Sequence, residues 1–166
     1  MGSRGRHVLV WSGGAAVVAL LLWTTVSAAA EEPYAEVKKQ YIAAVDAVCE
    51  QAFQQSELHQ QEPANLGEEA DELRRVAQSM SGTVTAIEAI EPPARDAPRV
   101  REGFFTPARA LAASLRDLSG RADAALRAGK EDEAARAVEQ SLEPDENEKA
   151  LRSFAAAYGF RTCAGE

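Results

Sequence analysis

The sequence predicts an all-α protein, an up-and-down helical bundle of about four helices, the last interrupted, closed by one disulfide. After residue 30, apolar residues recur at spacings of three and four, which is the period of an amphipathic helix. No segment alternates apolar and polar residues convincingly enough to indicate a strand. Turns that carry proline or glycine separate the helical stretches, and such short connections favour antiparallel neighbours.

The first 30 residues have the features of an export signal. Arg4, Arg6 and His7 precede an apolar run at residues 8–26, and small residues follow at 27–30. A basic start, an apolar centre and a small-residue cleavage site are typical of a secretory signal peptide. An uncleaved N-terminal membrane anchor is the alternative, since the run approaches the length that crosses a bilayer. In either case we expect the helical-bundle domain, residues 31–166, to lie outside the cytoplasm, secreted or anchored at the membrane.

A proline and a capping box predict the starts of the first two helices of this domain. Pro33 suits a first helical turn, and the first helix should extend to about residue 60. The second should begin at Asn65, whose side chain can cap Glu68, and end at Pro92. The two apolar stripes are Val37, Tyr41, Val45, Val48 and Ala52, then Leu73, Ala77, Met80, Val84 and Ile87.

The third helix should begin near Pro98 and contain two weak points. Pro107 removes a backbone hydrogen bond, so we expect a kink or a late start there. Gly120 has low helix propensity, and Gly129 is the expected stop. The stripe of this helix is Val100, Phe104, Ala108, Leu111, Leu115, Leu118, Ala122 and Ala125.

The last helical stretch should start near Glu131 and be interrupted at Pro144. Ala134, Ala135, Val138 and Leu142 form its apolar face before the interruption. Asp145 can cap the segment that follows, and Gly159 ends it.

Cys49 and Cys163 are the two cysteines of the chain. In an exported domain, two cysteines most simply form one disulfide. The alternative is two free thiols, one of them a nucleophile. The base for such a thiol would be His59, the one histidine after the leader, and it lies about three helical turns beyond Cys49.

The composition excludes several classes of function. Without the leader, the chain has 16 lysines and arginines and 26 acidic residues. Because binding to phosphates needs a basic surface, no nucleic-acid partner is expected. Histidine and cysteine are too few for a zinc site, and no phosphate-binding or nucleophile-elbow motif occurs. We therefore expect no catalytic residues, no metal and no cofactor, and predict that the protein is not an enzyme. The acidic residues 68–72 are interpreted as a solvated first helical turn, with a calcium ion or a cationic partner as the alternative.

Phe104 and Phe105 are the candidate partner or ligand surface. Both are expected to pack in or beside the core, but Phe105 lies one position off the apolar stripe and could edge a groove. The predicted function is a cell-envelope binding or structural module that contacts an unidentified envelope protein. The alternative is a carrier or sensor of a small apolar ligand held between helices near Phe104, Leu111 and Met80. A hydrolase is the third hypothesis.

Four segments, at residues 41–49, 90–95, 126–130 and 155–165, resemble a family of small Ala-rich helical proteins of actinobacteria. The terminal Tyr-Gly-Phe-x-x-Cys pattern, which ends at Cys163, is the most specific of these likenesses. Members are secreted or membrane-anchored and have no assigned activity. The resemblance implies a helical exported fold and the pairing of Cys49 with Cys163, and it implies no functional residues.

Overall fold

The computed structural model describes the backbone of residues 12–57 and 63–165, and the side chains of residues 33–57 and 63–165. Every regular element in these ranges is a helix, so the predicted all-α class is confirmed. His59 and the basic head of the predicted leader lie outside the described residues. Among the described residues, no helix is both long enough and apolar enough to cross a bilayer.

The described chain forms five helices of more than ten residues, together with short helical turns. Along the sequence they are α1 (Ser12–Glu57), α2 (Leu66–Glu88), α3 (Ala97–Val100), a π-helical turn (Arg101–Phe105), α4 (Thr106–Arg127), α5 (Glu131–Ser141), α6 (Glu146–Tyr158) and α7 (Arg161–Ala164). The chain divides into two compact units, Met1–Lys39 and Gln40–Glu166. The sites described below belong to the second unit.

The predicted start of the first helix at Pro33 is wrong, because α1 begins at Ser12 and contains Pro33 in its interior. Proline removes one backbone hydrogen bond. Alanines at positions 28–30 and 35 flank it, and alanine has the highest helix propensity, which supports a helix on both sides of the missing bond.

The two predicted helix caps are confirmed. The Asn65 side chain accepts the backbone N–H of Glu68 at 3.1 Å, and the Glu68 carboxylate accepts the N–H of Ala64 at 2.8 Å. Asp145 accepts the N–H of Glu148 at 2.8 Å, so the last stretch is interrupted as expected and resumes as α6. Such caps satisfy N–H groups that have no partner within the helix.

The third predicted helix is continuous through both of its weak points. Its backbone runs from Ala97 to Arg127 without a break, and Gly120 lies inside α4. At the π-helical turn the N–H of Thr106 donates to the Arg101 carbonyl, five residues back. The wider turn comes directly before Pro107, whose ring would otherwise clash with the carbonyl four residues back. The helix therefore does not start late at Pro107. It continues through this position with one extra residue in the π-helical turn.

Helix α4 packs against α2, α5 and α6. Small side chains make the contact among α2, α4 and α5, where Ala70, Ala122 and Ala137 are all buried. A larger apolar cluster joins α1, α2, the π-helical turn, α4 and α6, and it contains most of the aromatic side chains of this unit.

Candidate functional site

Phe104 and Phe105 lie in the core and not at the surface. They are 3% and 7% exposed, and their ring centroids are 5.7 Å apart. Phe104 also contacts Phe160 at 5.1 Å. Met80 and Leu111 pack against the same cluster. The residues around which an apolar ligand was expected are therefore packed against one another.

The disulfide between Cys49 and Cys163 is present, as predicted, and spans 114 residues. It consumes both thiols of the chain, so neither remains free to act as a nucleophile. Asp46, one turn before Cys49, accepts the backbone N–H groups of Arg161 and Thr162 at 3.2 and 3.1 Å. Together the covalent bond and the carboxylate fix the C-terminal tail to α1.

A buried aromatic cluster lies beside this crosslink. The Tyr158 hydroxyl donates to the buried carboxylate of Asp96 at 2.7 Å, and its ring meets Tyr41 edge-on at 6.2 Å. Phe160, which is fully buried, contacts both tyrosines. Gly159 has φ +107°, which only glycine adopts without strain, and this turn directs Phe160 inward. The Tyr-Gly-Phe-x-x-Cys pattern therefore serves packing of the tail.

Tyr41 differs from Tyr158 in its polar atom. Its hydroxyl is buried and has no hydrogen-bond partner in the described part of the chain. Burial disfavours the charged phenolate, which raises the pKa of Tyr41 to about 12. The Tyr41 ring belongs to the packed aromatic cluster through its contacts with Tyr158 and Phe160, so we assign these residues a role in stability.

The strongest candidate site is an open groove between α2 and α5, here called the α2–α5 groove, with a volume of about 430 Å³. Its apolar residues recur at helical spacing on both helices, so that each helix contributes one face. They are Leu73 and Val76 from α2, Ala135 and Val138 from α5, and Leu142 directly after α5. Pro63, which precedes α2, also lines the groove.

Two apolar side chains of the groove are unusually exposed. Leu142 is 77% and Val76 is 43% exposed, whereas Leu73, which lines the same groove, is buried. Exposed apolar groups next to one another, bordered by polar residues, are typical of an interaction surface. The groove therefore has the physical character of a binding site for another molecule.

Carboxylates border the groove on both helices. Glu69 and Glu72 project from α2, and Glu139 from α5. Glu72 pairs with Arg75 at 2.6 Å, while no ion pair involves Glu69 or Glu139 within the described residues. Across the described side chains, no three metal-ligating groups lie close enough together to hold a metal ion. The groove thus combines apolar walls with a negative rim.

A second groove, of about 580 Å³, lies between α4 and α5 and is lined by alanines together with charged and polar side chains. Its basic side chains are engaged within the protein. Arg121 pairs with Asp117 at 3.5 Å, and Lys130 pairs with Glu133 at 3.0 Å. Arg136 donates to the backbone carbonyl of Asp132 at 3.0 Å. Because each of these cationic side chains has a partner within the protein, this groove offers less for a ligand than the α2–α5 groove does.

The sequence pattern does not single out Val76, which lies beside the apolar stripe of α2. Leu142 belongs to the predicted apolar face of the last helical stretch but is exposed. The one sequence feature that could have indicated an exposed role for Val76 is that it is an apolar residue outside the stripe. The alternative interpretation of the acidic residues 68–72 is a surface for a cationic partner. Two of these residues, Glu69 and Glu72, line the α2–α5 groove.

Comparisons of the chain with protein family models, with curated proteins and with solved structures find no match. The function of the α2–α5 groove therefore rests on its own geometry and charge.

Proposed function

We propose that this protein is an exported binding module, not an enzyme, that recognises a partner protein of the cell envelope through the α2–α5 groove. The observation that carries the proposal is the exposure of Val76 and Leu142 on the walls of an acidic-rimmed groove. Apolar contact supplies most of the affinity of a protein interface, and a polar rim surrounds it.

The compartment supports this proposal. The Cys49–Cys163 disulfide points to an oxidising environment, as found outside the cytoplasm. We propose that the leader at residues 1–30 exports the domain, which then remains associated with the envelope.

The chemistry of the groove favours binding over catalysis. Its polar groups are carboxylates on the rim, and its walls are aliphatic. Residues of this kind can hold an apolar face against charged flanks.

Site-specific crosslinking in intact cells tests the proposal. A photoreactive residue in place of Ala135, in the groove, should form adducts with a distinct protein. The same residue in place of Phe53, which is 59% exposed and does not line the groove, is the control and should not form them. Leu142→Asp should abolish the adducts from position 135. Identical adducts from both positions, or none from position 135, would contradict the proposal.

A further inference from the structure

We infer that the occupant of the α2–α5 groove is an amphipathic α-helix whose apolar stripe is flanked by lysine or arginine. This inference rests on the proposed function and specifies the chemistry of the partner. It follows from the shape of the groove, from the charge of its rim and from the charge of the whole chain.

The shape of the groove fits a helix. Two helices form its sides, and their apolar residues lie at spacings of three and four, at 73 and 76 and at 135, 138 and 142. A third helix can lay its own apolar stripe along such a surface. The lining residues extend from 69 to 76 and from 135 to 142, about 11 Å along each helix, so the contact would cover about two turns of the partner.

The negative charge of the rim favours basic residues on either side of the apolar stripe of that helix. Glu69 on α2 and Glu139 on α5 place negative charge on both sides of the apolar walls. Lysine and arginine carry long apolar stems, so a partner helix can pack these stems beside Val76 and Leu142 while the charged ends reach the carboxylates. A helix with acidic flanks would meet like charges in the same positions.

Charge also disfavours the other occupants of an apolar groove. The whole chain carries a net charge of −8, so a second copy brings further negative charge to an already negative rim. An anionic membrane surface is repelled for the same reason. A cationic helix is the occupant that satisfies both the apolar walls and the rim.

Two synthetic peptides of about 14 residues, which is about four helical turns, test this inference. Both carry leucines at helical spacing, and their flanking residues are lysine in one and glutamate in the other. Measured by fluorescence anisotropy with the full oxidised domain, the lysine peptide should bind at least about tenfold tighter at low salt, as expected from several exposed charge pairs. Its affinity should fall as salt is added.

Variants locate the binding site. Leu142→Asp should weaken binding of the lysine peptide by about tenfold or more, since it places a charge on the apolar wall. The double change Glu69→Gln and Glu139→Gln should weaken binding a few-fold and reduce its salt dependence. Phe53→Asp, at an exposed apolar residue that does not line the groove, is the matched control and should leave binding unchanged. All four positions have exposed or half-exposed side chains, and circular dichroism checks that each variant folds.

Equal binding of the two peptides, or binding that Leu142→Asp does not change, would overturn the inference. Binding to phosphatidylglycerol vesicles, or a dimer in sedimentation that Leu142→Asp dissociates, would replace the cationic helix by a membrane or by a second copy. If position 135 forms protein adducts but the two peptides bind equally, the inference about a cationic helix is overturned and the proposed function stands. The absence of such adducts would overturn the proposed function itself.

Discussion

Tyr41 and Tyr158 belong to the same buried aromatic cluster, but their hydroxyl groups have opposite energetic roles. The Tyr158 hydroxyl donates to the buried Asp96 carboxylate, and the Tyr41 hydroxyl is buried with no partner in the described part of the chain. A buried polar group stabilises a fold only when it is hydrogen-bonded, because burial removes its bonds to water.

We predict that Tyr158→Phe lowers the free energy of unfolding by about 1–3 kcal/mol, since a buried carboxylate loses a donor. Tyr41→Phe should leave the stability unchanged or raise it slightly, because it removes a hydroxyl without a partner. Urea unfolding at neutral pH measures both variants. Equal losses in the two would show that the hydroxyl environments are not as described.

The ionisation of the Tyr41 hydroxyl should be visible in how the stability of the protein depends on pH. Burial raises its pKa to about 12, so the unfolded chain loses this proton near its ordinary pKa of about 10, while the folded protein keeps it. The contribution of protonated Tyr41 is therefore complete below pH 10 and is lost as the pH rises towards 12. The wild-type protein should lose stability relative to Tyr41→Phe across this window. Parallel stability curves for the two proteins would contradict this assignment.

At the scale of elements, the π-helical turn and Gly103 determine how α6 packs. The turn places an extra residue ahead of Pro107, and Gly103 within it lies directly against the Phe154 ring. A Cβ atom at position 103 would overlap that ring. Phe154 in turn stacks on Tyr158 at 5.6 Å, so a displaced ring would disturb the aromatic cluster.

We predict opposite effects for alanine at two helical glycines. Gly103→Ala should destabilise the protein by about 1–3 kcal/mol, through overpacking against Phe154. Gly120→Ala, where nothing lies within 4 Å of a new Cβ, should stabilise it by about 0.5–1 kcal/mol, because alanine favours the helix. Thermal and urea unfolding check both. Adding Phe154→Ala to Gly103→Ala should cost less than the sum of the two single changes, and full additivity would exclude the proposed clash.

At the scale of the whole molecule, the Cys49–Cys163 disulfide closes a loop that contains nearly all of the described helices after α1. It ties the short helix α7, which has no fully buried residue, to the C-terminal part of the long helix α1. A crosslink that closes a long loop restricts the unfolded chain strongly.

We predict that the double change Cys49→Ser and Cys163→Ser lowers the free energy of unfolding by about 4–5 kcal/mol, the value that chain entropy gives for a loop of this length. The wild-type protein should unfold like the variant once dithiothreitol has reduced it. Urea unfolding with and without reductant provides the measurement. A variant as stable as the oxidised wild type would show that the crosslink does not govern stability.

The sequence alone determined the features that depend on neighbouring residues. The helical class, the caps at Asn65 and Asp145 and the stop at Gly129 follow from local periodicity and local hydrogen bonds, and the structure confirms them. The pairing of Cys49 with Cys163 followed because the chain has just two cysteines. The leader, the up-and-down order of the helices and the actinobacterial resemblance stay predictions.

Only the tertiary structure decided which apolar residues become a surface. Phe105 and Val76 both lie off their apolar stripes, but the π-helical turn rotates Phe105 into the core, while Val76 remains at the edge of α2. Leu142 fits the stripe of α5 and is nevertheless exposed, directly after that helix ends at Ser141. Periodicity fixes the direction of a side chain relative to its own helix. Its burial depends on which helices pack there, and that is set by contacts between residues distant in sequence.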